Sequence, residues 1–235
     1  MLKKTVLTFS FLTILTTFYG FNMRLMTPVT DDGLSDEALE GIAPLDALLQ
    51  EHNACVISDY DPLIRTISEE EGNDWRLLSA IAYHESRFTP DITSRCGAKG
   101  LMQIMPSVAR QFDVPTEWIS DPAVNVRLAN KLLTRIEESL QLPAEVSATD
   151  RLSIVLACYN GGIGHVSDAR RLARAHGENP DSWEVVARYL TLKAQPEYYR
   201  NEVVKNGRFT GSRQTLAYVE NVLGKYDTYC RMTAR

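Results

Sequence analysis

From residue 61 onward the chain is dominated by six segments in which apolar side chains recur every three to four residues, and no stretch alternates in the manner of a half-buried strand. The segments cover residues 61–71, 74–86, 106–112, 122–140, 149–159 and 164–176. In the longest, Val126, Leu128, Ala129, Leu132, Leu133 and Ile136 fall on one stripe, and Asp121-Pro122 supplies an N-cap followed by a proline at the first helical position. Asp74 is placed to cap the second segment, and Gly161-Gly162 to stop the fifth. The pattern predicts a single mainly α domain, with room for one short hairpin whose position the periodicity does not give. A net charge of −5 offers nothing that would hold a nucleic acid.

Chemistry points to the end of the second segment. Glu85 lies four residues past Ile81 and three past Ala82, with Phe88 three further on, so its helical neighbours are apolar. A carboxylate buried without a cation has its pKa raised and becomes a proton donor near neutral pH. A lone Glu in such a place is most often an edge-of-core residue. The sequence that follows shifts the reading. Ser94 sits in a turn-rich loop, Gly97-Ala98-Lys99-Gly100 allows tight bends, and Gln103 stands in an otherwise apolar run where its amide needs a partner that a ligand could supply.

Glu85-Ser86, Ser94, Gly97-Ala98, Gly100-Leu101-Met102-Gln103-Ile104-Met105-Pro106 and Ala157-Cys158-Tyr159-Asn160-Gly161-Gly162 together resemble the soluble-type lytic transglycosylases, which have a goose-type lysozyme fold. The run Gly164-His165-Val166-Ser167-Asp168-Ala169-Arg170, with Tyr198-Tyr199 and Tyr218-Val219, is most similar to the catalytic module of the membrane-bound lytic murein transglycosylase F family. The resemblance covers about residues 60–229. It implies a lysozyme-like domain that cleaves the MurNAc-β-1,4-GlcNAc bond of peptidoglycan strands without water and without a cofactor. Glu85 would first protonate the glycosidic oxygen and then, as carboxylate, take the proton of the C6 hydroxyl of the same MurNAc, giving a 1,6-anhydro end. Ser94 and Gln103 would hydrogen-bond the sugar, while Met105, Tyr159 and Tyr218 would wall the site. Asn160 is read as holding its loop. Gln214 stands where much of the family has a Glu.

Glycoside hydrolysis uses two carboxylates. Glu117 and Asp121 are the sequence candidates for a second acid in a rival muramidase reading, and a non-catalytic wall-binding protein is the other alternative. No two of His52, His84, His165 and His176 have ligand spacing, which argues against a metal site. Arg170, Arg171 and Arg174 read as a solvated helix face. The aromatic residues from Trp183 to Tyr229 are assigned mostly to core, Tyr218 excepted.

The N-terminus, basic at Lys3-Lys4 and apolar over 5–23, is expected to be a signal peptide or N-terminal membrane anchor over 1–25, so that the protein is exported to the periplasm or cell envelope. An acidic linker over 26–56 then leads to the catalytic domain at 57–235. Four cysteines in an exported chain allow up to two disulfides in three pairings. A Cys55–Cys230 bridge would tie the domain's ends, and Cys96 and Cys158 flank the site.

Overall fold

The computed structural model describes residues 55–234; the expected signal or anchor segment, and all of the linker except Cys55 and Val56, lie outside the described residues. The described residues form nine α-helices and one 3-10 turn, with no strand among them. The chain is mainly α, as its periodicity predicts.

Polar side chains at the helix starts define the first half. The buried carboxylate of Asp61 accepts the N–H groups of Ile57 (2.8 Å) and Ser58 (3.0 Å), folding the incoming chain against α1 (Asp61–Glu71). Asp74 caps α2 (Trp75–Ser86) by accepting the Arg76 N–H at 2.9 Å, and Asp121 caps α4 (Pro122–Leu140) through Val124 N–H at 2.9 Å. Between them lie the short α3 (Pro106–Gln111) and the 3-10 turn Thr116–Ser120. Asn130 is fully buried on α4 and donates to the Ile67 carbonyl at 2.7 Å, locking α4 to α1.

Helix α5 (Ala148–Gly161) runs through the core, where Ile154, Leu156 and Ala157 are inaccessible to solvent. Gly162, at φ +91°, closes α5 through its N–H to the Cys158 carbonyl and starts α6 (Ile163–Ala175). The chain continues through α7 (Trp183–Leu192), α8 (Pro196–Tyr199) and α9 (Ser212–Thr233). Helix α9 packs on both α2 and α5. The Tyr226 hydroxyl donates to Asp74 at the start of α2 at 2.8 Å, while Tyr218, two turns earlier, faces Glu85 at its end, so the two helices run antiparallel.

In place of a regular hairpin, the loop after α2 has two isolated antiparallel bridges, Thr93 with Lys99 and Lys99 with Ile104. Asn125 of α4 substitutes for a ladder: its side chain accepts the Met102 N–H at 2.7 Å and donates to the carbonyls of Lys99 (2.9 Å) and Ile119 (2.8 Å). Gly100, at φ +79°, fits against it, because a Cβ there would lie 2.5 Å from the Asn125 amide nitrogen. Replacing Asn125 by Ala strips partners from three main-chain groups. We expect a loss of about 2–4 kcal/mol in urea unfolding at unchanged m-value. Wild-type stability in that variant would mean that the loop holds its own shape.

Candidate active site

Glu85 occupies the last full turn of α2, half-buried, with the apolar residues Ile81 and Ala82 behind it. The helix then breaks sharply: Arg87 and Phe88 both adopt left-handed backbone, at φ 55° and 60°. Such a pair of non-glycine residues costs about 1 kcal/mol or more each, and strain of this kind gathers where a site over-determines the chain. The Ser86 hydroxyl directs its one proton to the Leu101 carbonyl (2.8 Å), with the Ala82 carbonyl 3.2 Å away, and accepts the Thr89 N–H at 3.2 Å, holding the following loop against the end of α2.

Among the described residues no cation pairs with Glu85. Arg87, two residues on, and Lys225 of α9 lie over the Tyr83 ring at 3.9 and 4.1 Å. Burial pushes the Glu85 carboxyl up to about 7, against a smaller opposing pull from the Tyr218 hydroxyl. That hydroxyl is buried without a hydrogen bond of ordinary geometry, so its approach to Glu85 is close enough to act electrostatically but stops short of a closed bond. Ser79 Oγ and His84 Nε2 are likewise buried without a partner among the described residues. Tyr159, from α5, donates its hydroxyl to the Met102 carbonyl at 2.8 Å, and burial together with the Glu85 charge keeps it protonated.

Glu85, Tyr159 and Tyr218 are thus brought together from three helices. Ser94, Gln103 and Met105 lie along the loop that Ser86 ties to α2 and Tyr159 to α5. Ser94 Oγ accepts the Ala98 N–H at 2.9 Å, which leaves its hydroxyl proton to donate outward. Gln103, itself left-handed at φ 47°, donates its side-chain N–H groups to the carbonyls of Gly100 (3.0 Å) and Ile92 (3.3 Å). Its amide therefore finds its donor partners inside the loop, and only the carbonyl oxygen remains for a ligand. Met105, 37% exposed, forms the N-cap position of α3. Asn160 is bound to the last helix through the Thr215 hydroxyl at 3.0 Å, so it joins α5 to α9 rather than its own loop.

Ser86 and Asn125 had no individual role in the sequence reading. Ser86 sits within the motif and was signalled there; Asn125, like Asn130 a polar residue buried on the apolar stripe of α4, carried no signal beyond its need for partners. Of the candidate second acids, Asp121 is spent on its cap and Glu117 is exposed. His84 lies edge-on to Tyr83, His165 contacts Lys193, and His176 bonds the Leu172 carbonyl, three separate places. The expected solvated arginine face holds only for Arg174. Arg170 is buried, bonded to Asp181 and the Leu140 carbonyl, and Arg171 reaches Asp168 and the Val203 carbonyl, because α6 is covered on that side by residues 180–181 and 203–206. Cys55, Cys96, Cys158 and Cys230 are free thiols in the structure; Cys158 faces the core, where burial pushes it up to about 12, and Cys96 is exposed on the loop.

A family model described as the transglycosylase SLT domain matches residues 62–182. Curated relatives named membrane-bound lytic murein transglycosylase F include that of Alcanivorax borkumensis, 36% identical over 168 residues, which are 72% of this chain and 34% of the relative. That of Marinobacter nauticus is 34% identical over 178 residues, 74% of this chain and 33% of the relative. The chain spans about a third of the length of these relatives. Among solved structures, the lytic transglycosylase Slt of Pseudomonas aeruginosa aligns at TM-score 0.49 and 22% identity, covering 74% of this chain and 24% of that one. The 70 kDa soluble lytic transglycosylase of Escherichia coli aligns at TM-score 0.47 and 24% identity, covering 73% and 24%. With just over half of its length matched by the family model, this chain belongs to the transglycosylase SLT domain family.

Proposed function

We propose that the domain is a lytic transglycosylase that cleaves the MurNAc-β-1,4-GlcNAc bond of peptidoglycan, with Glu85 as its one acid and base. The observation that carries this reading is a buried carboxyl with no cation beside it and two tyrosine hydroxyls around it, poised to be protonated at neutral pH. Family membership supplies the substrate class. The name shared by the relatives, together with the apolar N-terminal segment, supports export to the cell envelope and a membrane association.

In the first step the Glu85 proton passes to the glycosidic oxygen as the bond from that oxygen to C1 of MurNAc breaks. The carboxylate left behind is charged in a poorly solvated place, and the open Tyr218 O–H then has an acceptor worth bonding. A hydrogen bond that strengthens as charge develops lowers the barrier and leaves the ground state unaffected. In the second step the C6 hydroxyl attacks C1 and gives its proton to Glu85. The acid is regenerated, and no water is consumed. Tyr159, held by Met102, walls the site and limits solvation of the acid. The free Ser94 hydroxyl proton and the Gln103 carbonyl offer a donor and an acceptor to the sugar, and Met105 an apolar face.

Mass analysis of soluble muropeptides tests the reading. The protein should release fragments one water lighter than hydrolysis products and resistant to borohydride, and Glu85→Gln should lower the rate by about a thousandfold. Reducible fragments of full hydrolytic mass would establish a muramidase instead, and wall binding without release a binding protein.

Because the acid must begin protonated, the rate should fall as pH rises through about 7. Burial raises the folded-state value above that of the unfolded chain, so ionising Glu85 destabilises the fold at high pH. Glu85→Gln should therefore be more stable than wild type at pH 8, by about 2 kcal/mol, and equal to it at pH 4, a difference readable by thermal melting. Equal stability at both values would place Glu85 in solvent.

Tyr218→Phe removes the group that opposes the rise. Its alkaline limb should move to higher pH while kcat falls about tenfold. An unmoved limb would disconnect Tyr218 from Glu85.

A further inference from the structure

A second buried ionic cluster lies outside the site. Asp168 of α6 and Lys193, the residue after α7, are both inaccessible to solvent, with Nζ 2.6 Å from Oδ2. Asp168 also receives the Arg171 guanidinium and the N–H groups of Lys205 (2.8 Å) and Asn206 (2.9 Å). Burial alone would raise this carboxyl; the four donors more than reverse that, holding it at about 2. The Lys193 ammonium further contacts His165 Nδ1 at 3.0 Å, and burial together with that cation keeps the imidazole neutral.

Replacing a buried ion pair by apolar side chains is commonly neutral or stabilising, so the pair is better explained by the geometry it fixes than by the energy it adds. What it fixes is the segment 203–211. Arg171 holds the Val203 carbonyl at 2.8 Å, and Asn206 donates to the Gly164 carbonyl at 2.9 Å. Phe209 follows, bonded through its N–H to the Lys193 carbonyl (3.3 Å) and stacked on His165 at 4.6 Å. Its ring fills the space where α5 ends and α9 begins. A Cβ on Gly161 would sit 3.3 Å from Phe209 and 2.9 Å from the Thr215 hydroxyl, and one on Gly211 would sit 3.1 Å from the same ring. Gly161 comes two residues after Tyr159, and Gly211 is the N-cap position of the helix bearing Thr215 and Tyr218.

We propose that the Asp168–Lys193 pair is a positioning device for the active site: by pinning residues 203–211 it sets, through Phe209 and the Thr215–Asn160 bond, how closely Tyr159 and Tyr218 close over Glu85. The inference rests on Glu85 being the acid. The groups facing that carboxyl are the two tyrosine hydroxyls, so a slackened segment admits water to Glu85 without bringing any new charge to it.

The test reads the Glu85 carboxyl by carbon-detected NMR titration, assigned against the Glu85→Gln spectrum, alongside melting temperature and the kcat and KM for peptidoglycan. The double variant Asp168→Asn/Lys193→Met removes both charges together. Folded, it should show Glu85 titrating lower, toward an ordinary carboxylate, with kcat down about tenfold and KM changed by less than about twofold. Phe209→Leu and Asn206→Ala leave the ion pair intact and should give smaller shifts of the same sign, which keeps the test available if the double variant does not fold. Wild-type titration and kcat in the folded variants would reduce the cluster to a staple between α6 and α7 and overturn the proposal. The titration needs no turnover, so it separates this failure from a wild-type protein that releases no anhydro product.

Discussion

Everything in this domain depends on keeping a carboxylic acid in a poorly solvated place without giving it a cation. Burial alone raises the acid's pKa, and one nearby lysine or arginine would undo the effect. Arg87 is two residues from the acid in sequence, and Lys225 stands on α9, the helix that carries Tyr218. Both are occupied by the Tyr83 ring, where cation–π attraction and exposure to water suit them better than the cleft. The low-dielectric wall is supplied instead by tyrosines, whose rings exclude water and whose hydroxyls are dipoles without net charge. In the proposed reaction, such a wall would let the acid change charge twice in one turnover at modest cost.

Holding that wall requires a loop that is rigid without being regular. Left-handed residues at Arg87, Phe88 and Gln103 let the chain turn away from α2 and back within a short span, and each is unfavourable in isolation. The compensation is a set of buried side-chain bonds to main chain: Ser86 to Leu101, Asn125 to Met102, Lys99 and Ile119, and Tyr159 to Met102. Each of these bonds replaces one that a sheet ladder would supply, and each is worth more in a buried place than on the surface. The loop is therefore specified by residues in three helices, which is why its own sequence looks merely turn-rich.

This distribution explains what could be read from the chain. The caps Asp74 and Asp121 and the ends of α1, α2 and α4 follow from local chemistry and were legible to within a residue. Glu85 was legible because helical phase alone placed it against Ile81 and Ala82. Helices α7 and α9 were not: the aromatic residues from Trp183 to Tyr229 read as core without a helical phase, although Thr215, Val219, Val222, Tyr226 and Tyr229 recur at alternating steps of four and three. The inward arginines of α6 defeated the pattern for a different reason: their partners, Asp181 and the Val203 carbonyl, are supplied by segments with no helical signature. The side-chain donors of Gln103 were also out of reach, since whether an amide is spent on its own loop depends on a backbone conformation that the residue rarely adopts.

The last helix carries a consequence for where the functional domain ends. The region matched by the family model stops at residue 182, whereas Tyr218, Thr215 and Tyr226 all lie beyond it. Yet α9 runs antiparallel along α2, pinned at one end by Tyr226 on Asp74 and presenting Tyr218 to Glu85 at the other. Without α9 the acid's helix would lose one of its two walls, water would reach the carboxyl, and the group would ionise as an ordinary surface glutamate. Glu85 lies within the matched region, but the burial that raises its carboxyl draws on α2, α5 and α9 together. The smallest unit that can perform the proposed chemistry therefore extends through α9.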